Sequence, residues 1–155
     1  CLGMQIAVIE FARHEAGIED ACSGEFHAPS SHKVIDFMPG QSDSVAKGGT
    51  LRLGSYPCNI VPGTLMSKCY GTDRIQERHR HRYEFNNDYK EKLEAAGLVI
   101  SGISPDGTLV ETVEMKGHPF FLGVQYHPEF KSRPNRPHPV FRQFIKAARM
   151  RSEEK

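Results

Sequence analysis

The chain has 155 residues, 38% of them hydrophobic and 25% charged, with 20 Lys and Arg against 19 Asp and Glu for a net charge of +1. That length suits one domain, and the charge balance excludes a generally basic nucleic-acid binder. Apolar runs such as Ile6–Ile9 and Pro119–Val124 fall far short of the roughly 20 residues that cross a bilayer, so nothing points to a membrane partner.

Apolar residues at Leu2, Ile6, Ile9 and Ala12 predict a helix over Leu2–Arg13, with Gly17 as its stop. Ala21–Ser31 reads as a loop, His32–Phe37 as a short strand and Gln41–Gly49 as a polar, Gly-bearing loop. Thr50–Gly54 and Tyr56–Val61 read as two short strands, Pro57 weakening the second. Thr64–Tyr70 predicts a helical turn and Arg80–Phe85 a strand. Asn87 caps a helix that runs to Ala96 with Leu93 and Ala96 inward, and Gly97 ends it. Leu98–Ser104 and Thr108–Met115 alternate as strands about the turn Pro105-Asp106-Gly107. Pro119–Tyr126 is almost wholly apolar, as in a strand buried on both faces. Pro128–Pro139 is a loop, Val140–Met150 a closing helix, and Ser152–Lys155 a charged, frayed end. Strands and helices mixed in this way predict an α/β domain.

The cysteines are Cys1, Cys22, Cys58 and Cys69. None stands in a Cys-x-x-Cys pair, so neither a zinc site nor a redox dithiol is expected, and a reducing, cytoplasmic setting is. Cys22, Cys58 and Cys69 read as packing or surface thiols. The chain opens on Cys1 with no signal-peptide segment behind it, which reads as a processed or cut polypeptide.

Chemistry concentrates in two segments. Cys1-Leu2-Gly3 ahead of an amphipathic helix looks like the second half of a nucleophile elbow, where the positive end of the helix favours a thiolate. Gln125-Tyr126-His127-Pro128-Glu129-Phe130 follows the most apolar strand and places a His at a strand end, where α/β sites collect. Pro128 fixes the backbone so that Glu129 turns back on the imidazole, as a Cys–His–Glu triad requires. The alternative is a strand-capping His127 with a solvated Glu129. In Arg78–Arg82, strand alternation sets Arg78, Arg80 and Arg82 on one side and His79 and His81 on the other. The arginines can serve one anionic locus, read equally as an exposed basic strand or a phosphate patch. His79 and His81 lack an evident third metal ligand.

Together these segments resemble the class I (triad) glutamine amidotransferases. Gly48-Gly49-Thr50-Leu51-Arg52-Leu53-Gly54, Glu77-Arg78-His79-Arg80-His81-Arg82-Tyr83-Glu84 and His127-Pro128-Glu129-Phe130-Lys131-Ser132-Arg133-Pro134 narrow the resemblance to the amidotransferase domain of the CTP synthase family, over essentially the whole chain. The resemblance implies a flavodoxin-like α/β fold with a mixed central sheet flanked by helices. It also implies that residues 1–155 are the later part of the domain, from the nucleophile onward, with the synthetase domain absent.

It implies, too, that Cys1 attacks the side-chain amide of glutamine to form a glutamyl thioester, with His127 as general acid/base and Glu129 as its orienter. Leu2 supplies an oxyanion N–H, Gln5 and Glu25 contact the substrate, Glu25 at its amino group, and Arg82 binds its α-carboxylate. Arg52 matches a GTP-responsive position, or is a hairpin arginine with no ligand. No metal ligand or cofactor is expected in this chain. ATP, UTP, Mg²⁺ and allosteric GTP belong to the complete enzyme, a homotetramer in which the synthetase domain of the same polypeptide aminates UTP. Three rivals remain: an N-terminal-nucleophile hydrolase, another triad amidotransferase or gamma-glutamyl hydrolase, and an inactive fragment whose sheet has lost strands.

Overall fold

The computed structural model describes residues 1–26, 29, 31–37 and 52–154. Helix α1 (Leu2–His14) turns Met4, Gln5, Val8, Ile9, Phe11 and Ala12 inward. The expected stripe is therefore rotated. Ile9 and Ala12 are buried, but Leu2 and Ile6 face outward at 50% and 43% exposure. Arg13 and His14 sit in the last turn, where the charge of Arg13 suits the helix dipole. Gly17 follows in the left-handed region, at φ +65.

Two sheets lie beyond it. Strands β1 (Cys22–Ser23), β2 (Lys33–Phe37) and β5 (Tyr83–Phe85) form one, with β1 parallel to β2 and β2 antiparallel to β5. Strands β3 (Arg52–Ile60), β4 (Arg74–His81), β6 (Leu98–Ile103), β7 (Val110–Met115) and β8 (Leu122–Val124) form the other in the order β4-β3-β6-β7-β8, antiparallel at every junction. Helix α1 packs on β8 and on the small sheet. A core of Val8, Phe11, Val34, Ile35, Leu98 and Val113 fills the space between them. A second core of Cys58, Ile60, Met66, Ile75, Tyr126 and Val140 lies under α2 (Leu65–Tyr70) and α4 (Pro139–Glu153).

Several expectations change. The two strands expected on either side of Ser55 are one strand, β3. It tolerates Pro57 because β6 pairs only with Asn59 and Ile60, leaving an open edge where a missing N–H costs nothing. The strand expected over Arg80–Phe85 begins at Arg74 and breaks at Arg82, and β1 lies inside the expected Ala21–Ser31 loop. The helix from Asn87 is a 3₁₀ turn, Asn87–Tyr89, leading into α3 (Lys90–Ala95), and Asn86 rather than Asn87 caps it, its side chain accepting from the Asp88 N–H. The run Pro119–Tyr126 is not a strand buried on both faces. Only Leu122–Val124 is a strand, and among the described residues it pairs with β7 alone. Helix α4 continues through the expected frayed end to Glu153, and of its apolar stripe only Val140 is buried. Gly48 to Leu51, the Gln41–Gly49 loop and part of the Ala21–Ser31 loop lie outside the described residues. Among the described residues no helix is long and apolar enough to cross a membrane.

Candidate active site

Cys1 is the N-cap of α1, and its backbone nitrogen donates to the Val124 carbonyl at 2.6 Å, joining the start of the helix to the end of β8. Gly123 permits this approach: a Cβ there would stand 3.1 Å from Met4 Cγ and 3.1 Å from Val113 Cγ2. The thiol faces a polar neighbour, since Gln125 Nε2 donates to Cys1 Sγ at 3.5 Å. Cys1 is half-buried, whereas Cys22, Cys58 and Cys69 are all buried. Burial pushes the Cys58 thiol up to about 12 and the Cys69 thiol up to about 11, which keeps both protonated and inert.

Three residues past Val124, His127 Nδ1 meets Glu129 Oε1 at 2.6 Å. The 3₁₀ turn Pro128–Phe130 folds the carboxylate back, and Phe130 stacks on the imidazole with centroids 5.2 Å apart. The His127 N–H donates to the Arg78 carbonyl, which ties the turn to β4. Burial raises the Glu129 carboxyl, but its hydrogen bond with His127, a backbone hydrogen bond and nearby positive charge together hold the group below the usual carboxylate range. Nδ1 is thereby engaged, and Nε2 is left for chemistry. Among the described residues no hydrogen bond links His127 to the Cys1 thiol. The chain from Val124, which holds the Cys1 nitrogen, to His127 spans at most about 10 Å.

A cavity of about 460 Å³ joins Cys1, Leu2, Gln5, Glu25, Arg80, His81, Arg82 and Tyr83. Every residue expected to hold glutamine thus lines one space with Cys1, although the contributing segments lie far apart in the chain. The expected alternation holds along β4, where Arg78 and Arg80 are exposed and His79 and His81 buried. Arg82 falls at the break between β4 and β5, which turns it into the cavity. A carboxylate at Glu25 and a guanidinium at Arg82 suit the two charges of an α-amino acid.

The profile of the family described as "Glutamine amidotransferase class-I" matches residues 1–147. The chain belongs to this family. The amidotransferase chain is 61% identical over 149 residues to a CTP synthase of Roseiflexus castenholzii, covering 96% of this chain and 27% of that protein. It is 62% identical over 154 residues to a CTP synthase of Rubrobacter xylanophilus, covering 99% of this chain and 28% of that protein. The chain therefore spans a little over a quarter of these relatives' length. Among solved structures it is similar to the Trypanosoma brucei CTPS glutaminase domain with bound acivicin, at 42% identity and a TM-score of 0.89 over 96% of this chain and 58% of that one. This likeness establishes the α/β amidotransferase fold, with an antiparallel larger sheet among the described residues.

Behind the cavity the amidotransferase chain carries a buried ionic cluster. Arg52 lies 2.5 Å from Glu111 and 3.8 Å from Glu84, and its guanidinium stands 4.6 Å from the centre of the Tyr56 ring. Arg52, only 6% exposed, is thus an ion-pair partner inside the sheet and does not line the cavity. His79 and His81 belong to the same cluster, His81 Nδ1 being 3.2 Å from Glu84. Among the described residues no group of three or more His, Cys, Asp or Glu side chains is placed to hold a metal. Two features at the site escaped the sequence reading. Gln125 was hidden in an apolar run, where a lone polar residue is the available signal. The ionic role of Glu111 follows only from the pairing of β7.

Proposed function

We propose that this chain is the glutamine-hydrolysing part of a CTP synthase, the later portion of its amidotransferase domain. The observation that carries the reading is the cavity in which Cys1, Glu25 and Arg82 converge, and the hydrogen-bonded His127–Glu129 pair, which does not line it, supports the reading. Arg82 takes the α-carboxylate of glutamine and Glu25 its ammonium, which directs the side-chain amide toward Cys1. The sulfur attacks the amide carbon while His127 accepts the thiol proton. The Leu2 N–H, at the head of α1, stabilises the developing oxyanion. The C–N bond then breaks, and the proton on His127 leaves with nitrogen as ammonia, giving the thioester. Water attacks the thioester with His127 again taking the proton, glutamate leaves, and the proton returns to sulfur.

In this reading the ammonia aminates UTP in the synthetase portion of the same polypeptide, which handles ATP and Mg²⁺. The working enzyme is a cytoplasmic homotetramer that responds to GTP, with Arg52 acting through the buried cluster rather than from the cavity. The relatives' identities and the proportion of their length that is matched support this. In the complete protein, Cys1→Ala is expected to abolish glutamine-dependent CTP formation and leave ammonia-dependent formation intact. Release of ammonia from glutamine at the parent rate by the alanine variant overturns the assignment of the nucleophile.

A further inference from the structure

We infer that Gln125 positions the nucleophile and the substrate-facing amide of Gln5 as one unit. Gln125 directly follows β8, and its backbone N–H donates to the Glu111 carbonyl at 2.8 Å, which extends the pairing beyond the strand. Its side chain is fully buried. A primary amide in such a place is costly unless its hydrogen bonds are made. Both ends are engaged: Oε1 accepts from Gln5 Nε2 at 3.4 Å, and Nε2 donates to Cys1 Sγ at 3.5 Å. Gln5 Nε2 also donates to the Tyr83 carbonyl at 3.0 Å.

This network fixes both amides. Gln5 spends its two protons on Tyr83 and Gln125, so it offers the cavity only its Oε1, an acceptor for substrate N–H groups. Because Gln125 Oε1 takes one of those protons, its NH₂ must face the sulfur. A donor held against sulfur favours the thiolate over the thiol and fixes the direction in which the side chain points. The chain Tyr83–Gln5–Gln125–Cys1 therefore ties the arginine-bearing rim of the cavity to the attacking atom. Gln125 acts here as a positioning residue, and the inference rests on the reading of Cys1 as the nucleophile.

The test uses Gln125→Leu and Gln125→Glu in the complete polypeptide. The extent of Cys1 alkylation by iodoacetamide is followed against pH by peptide mass spectrometry, which separates Cys1 from Cys22, Cys58 and Cys69. Steady-state kcat and KM for glutamine are measured in parallel. Gln125→Leu removes donor and acceptor together. Its alkylation curve is expected to move to higher pH by about one unit, with KM raised about tenfold as Gln5 is released. Gln125→Glu keeps the acceptor for Gln5 but sets a carboxylate against the sulfur. Its alkylation curve is expected to move at least as far, with a lower kcat and a smaller rise in KM than in Gln125→Leu. An alkylation curve for Gln125→Glu that superimposes on the parent's overturns the proposal, whatever Gln125→Leu does. Alkylation requires no glutamine hydrolysis, so this outcome is independent of the Cys1→Ala test.

Discussion

His79 Nδ1 lies 2.7 Å from His81 Nε2, both rings buried beneath β4. Such a contact needs one N–H and one lone pair, so the two rings cannot both be cationic. Burial first, and then the charge of Arg52, hold His79 down to about 2 and His81 down to about 3, leaving both neutral. The carboxylates behind them face a single guanidinium. Burial, and then the neighbouring charge of Glu111, push Glu84 up to about 8. Burial also raises the Glu111 carboxyl, while Arg52, 2.5 Å away, favours its ionised form. With Glu84 protonated the cluster is neutral overall, the condition under which so many polar groups can stay inside a sheet.

This arrangement sets the stability of the protein against pH. Glu84 binds its proton more tightly folded than unfolded, so its contribution is present at low pH and is lost as pH rises through about 8. The histidines act in the opposite sense. Their folded values lie below the unfolded one, so their contribution is present above about 6.5 and is lost as pH falls toward 3. Between pH 6.5 and 8 the Glu84 effect should lower stability by about 2 kcal/mol. Denaturant melts across this range should show a steeper decline in the parent than in Glu84→Gln.

Arg52→Met should destabilise the fold by about 3–5 kcal/mol, because it leaves Glu111 buried without its cation. The double variant Arg52→Met/Glu111→Leu should recover most of that loss, since the whole pair is then replaced by apolar volume. Equal melting of the single and double variants would show that the pair is not coupled.

Gly123→Ala should loosen the seat of Cys1. The added Cβ meets the Met4 and Val113 side chains at 3.1 Å, so the contact between α1 and β8 must give by a few tenths of an ångström. A cost of about 1–3 kcal/mol is expected from overpacking. Because Cys1 hangs on Val124, glutaminase activity should fall as well. A variant as stable and as active as the parent would mean that the helix has room to spare.

His127→Ala should lower kcat for glutamine hydrolysis by about 10²–10⁴-fold, the usual weight of a general acid/base. Glu129→Gln should lower it less, since it keeps a hydrogen-bonding partner for Nδ1 but removes the charge. The ordering of the two variants in steady-state assays is the check.

Arg82→Ala should act mainly on substrate binding. Loss of one charge-assisted contact, worth about 1.5–3 kcal/mol, corresponds to a KM for glutamine raised about 10–100-fold. An unchanged KM would remove Arg82 from the site.

The contact between His127 and Glu129 was legible in the sequence because it is local. His127 and Glu129 are separated only by Pro128, and a single turn brings them together. The helix behind Cys1 and the hairpin about Asp106 were readable for the same reason, since periodicity and turn chemistry act over a few residues. Gly97 and Gly107, both at positive φ, mark boundaries that composition announces. The failures are equally physical. Pro57 is a breaker only where its N–H is needed, and whether β3 has a partner at that point is a matter of sheet order. The apolar run from Pro119 looked like a central strand, yet hydrophobicity does not state how many neighbours a strand has.

The sequence by itself therefore determined the family, the reactive residue types and the α/β class, because these reside in short motifs and local periods. Only the tertiary structure decided that Gln5, Glu25 and Arg82 share a cavity with Cys1, that Gln125 reaches its sulfur, and that Arg52 is sealed among Glu84 and Glu111. Those are contacts between residues far apart in the chain, fixed by strand register and helix packing, and no local pattern encodes which distant side chains a register will bring face to face.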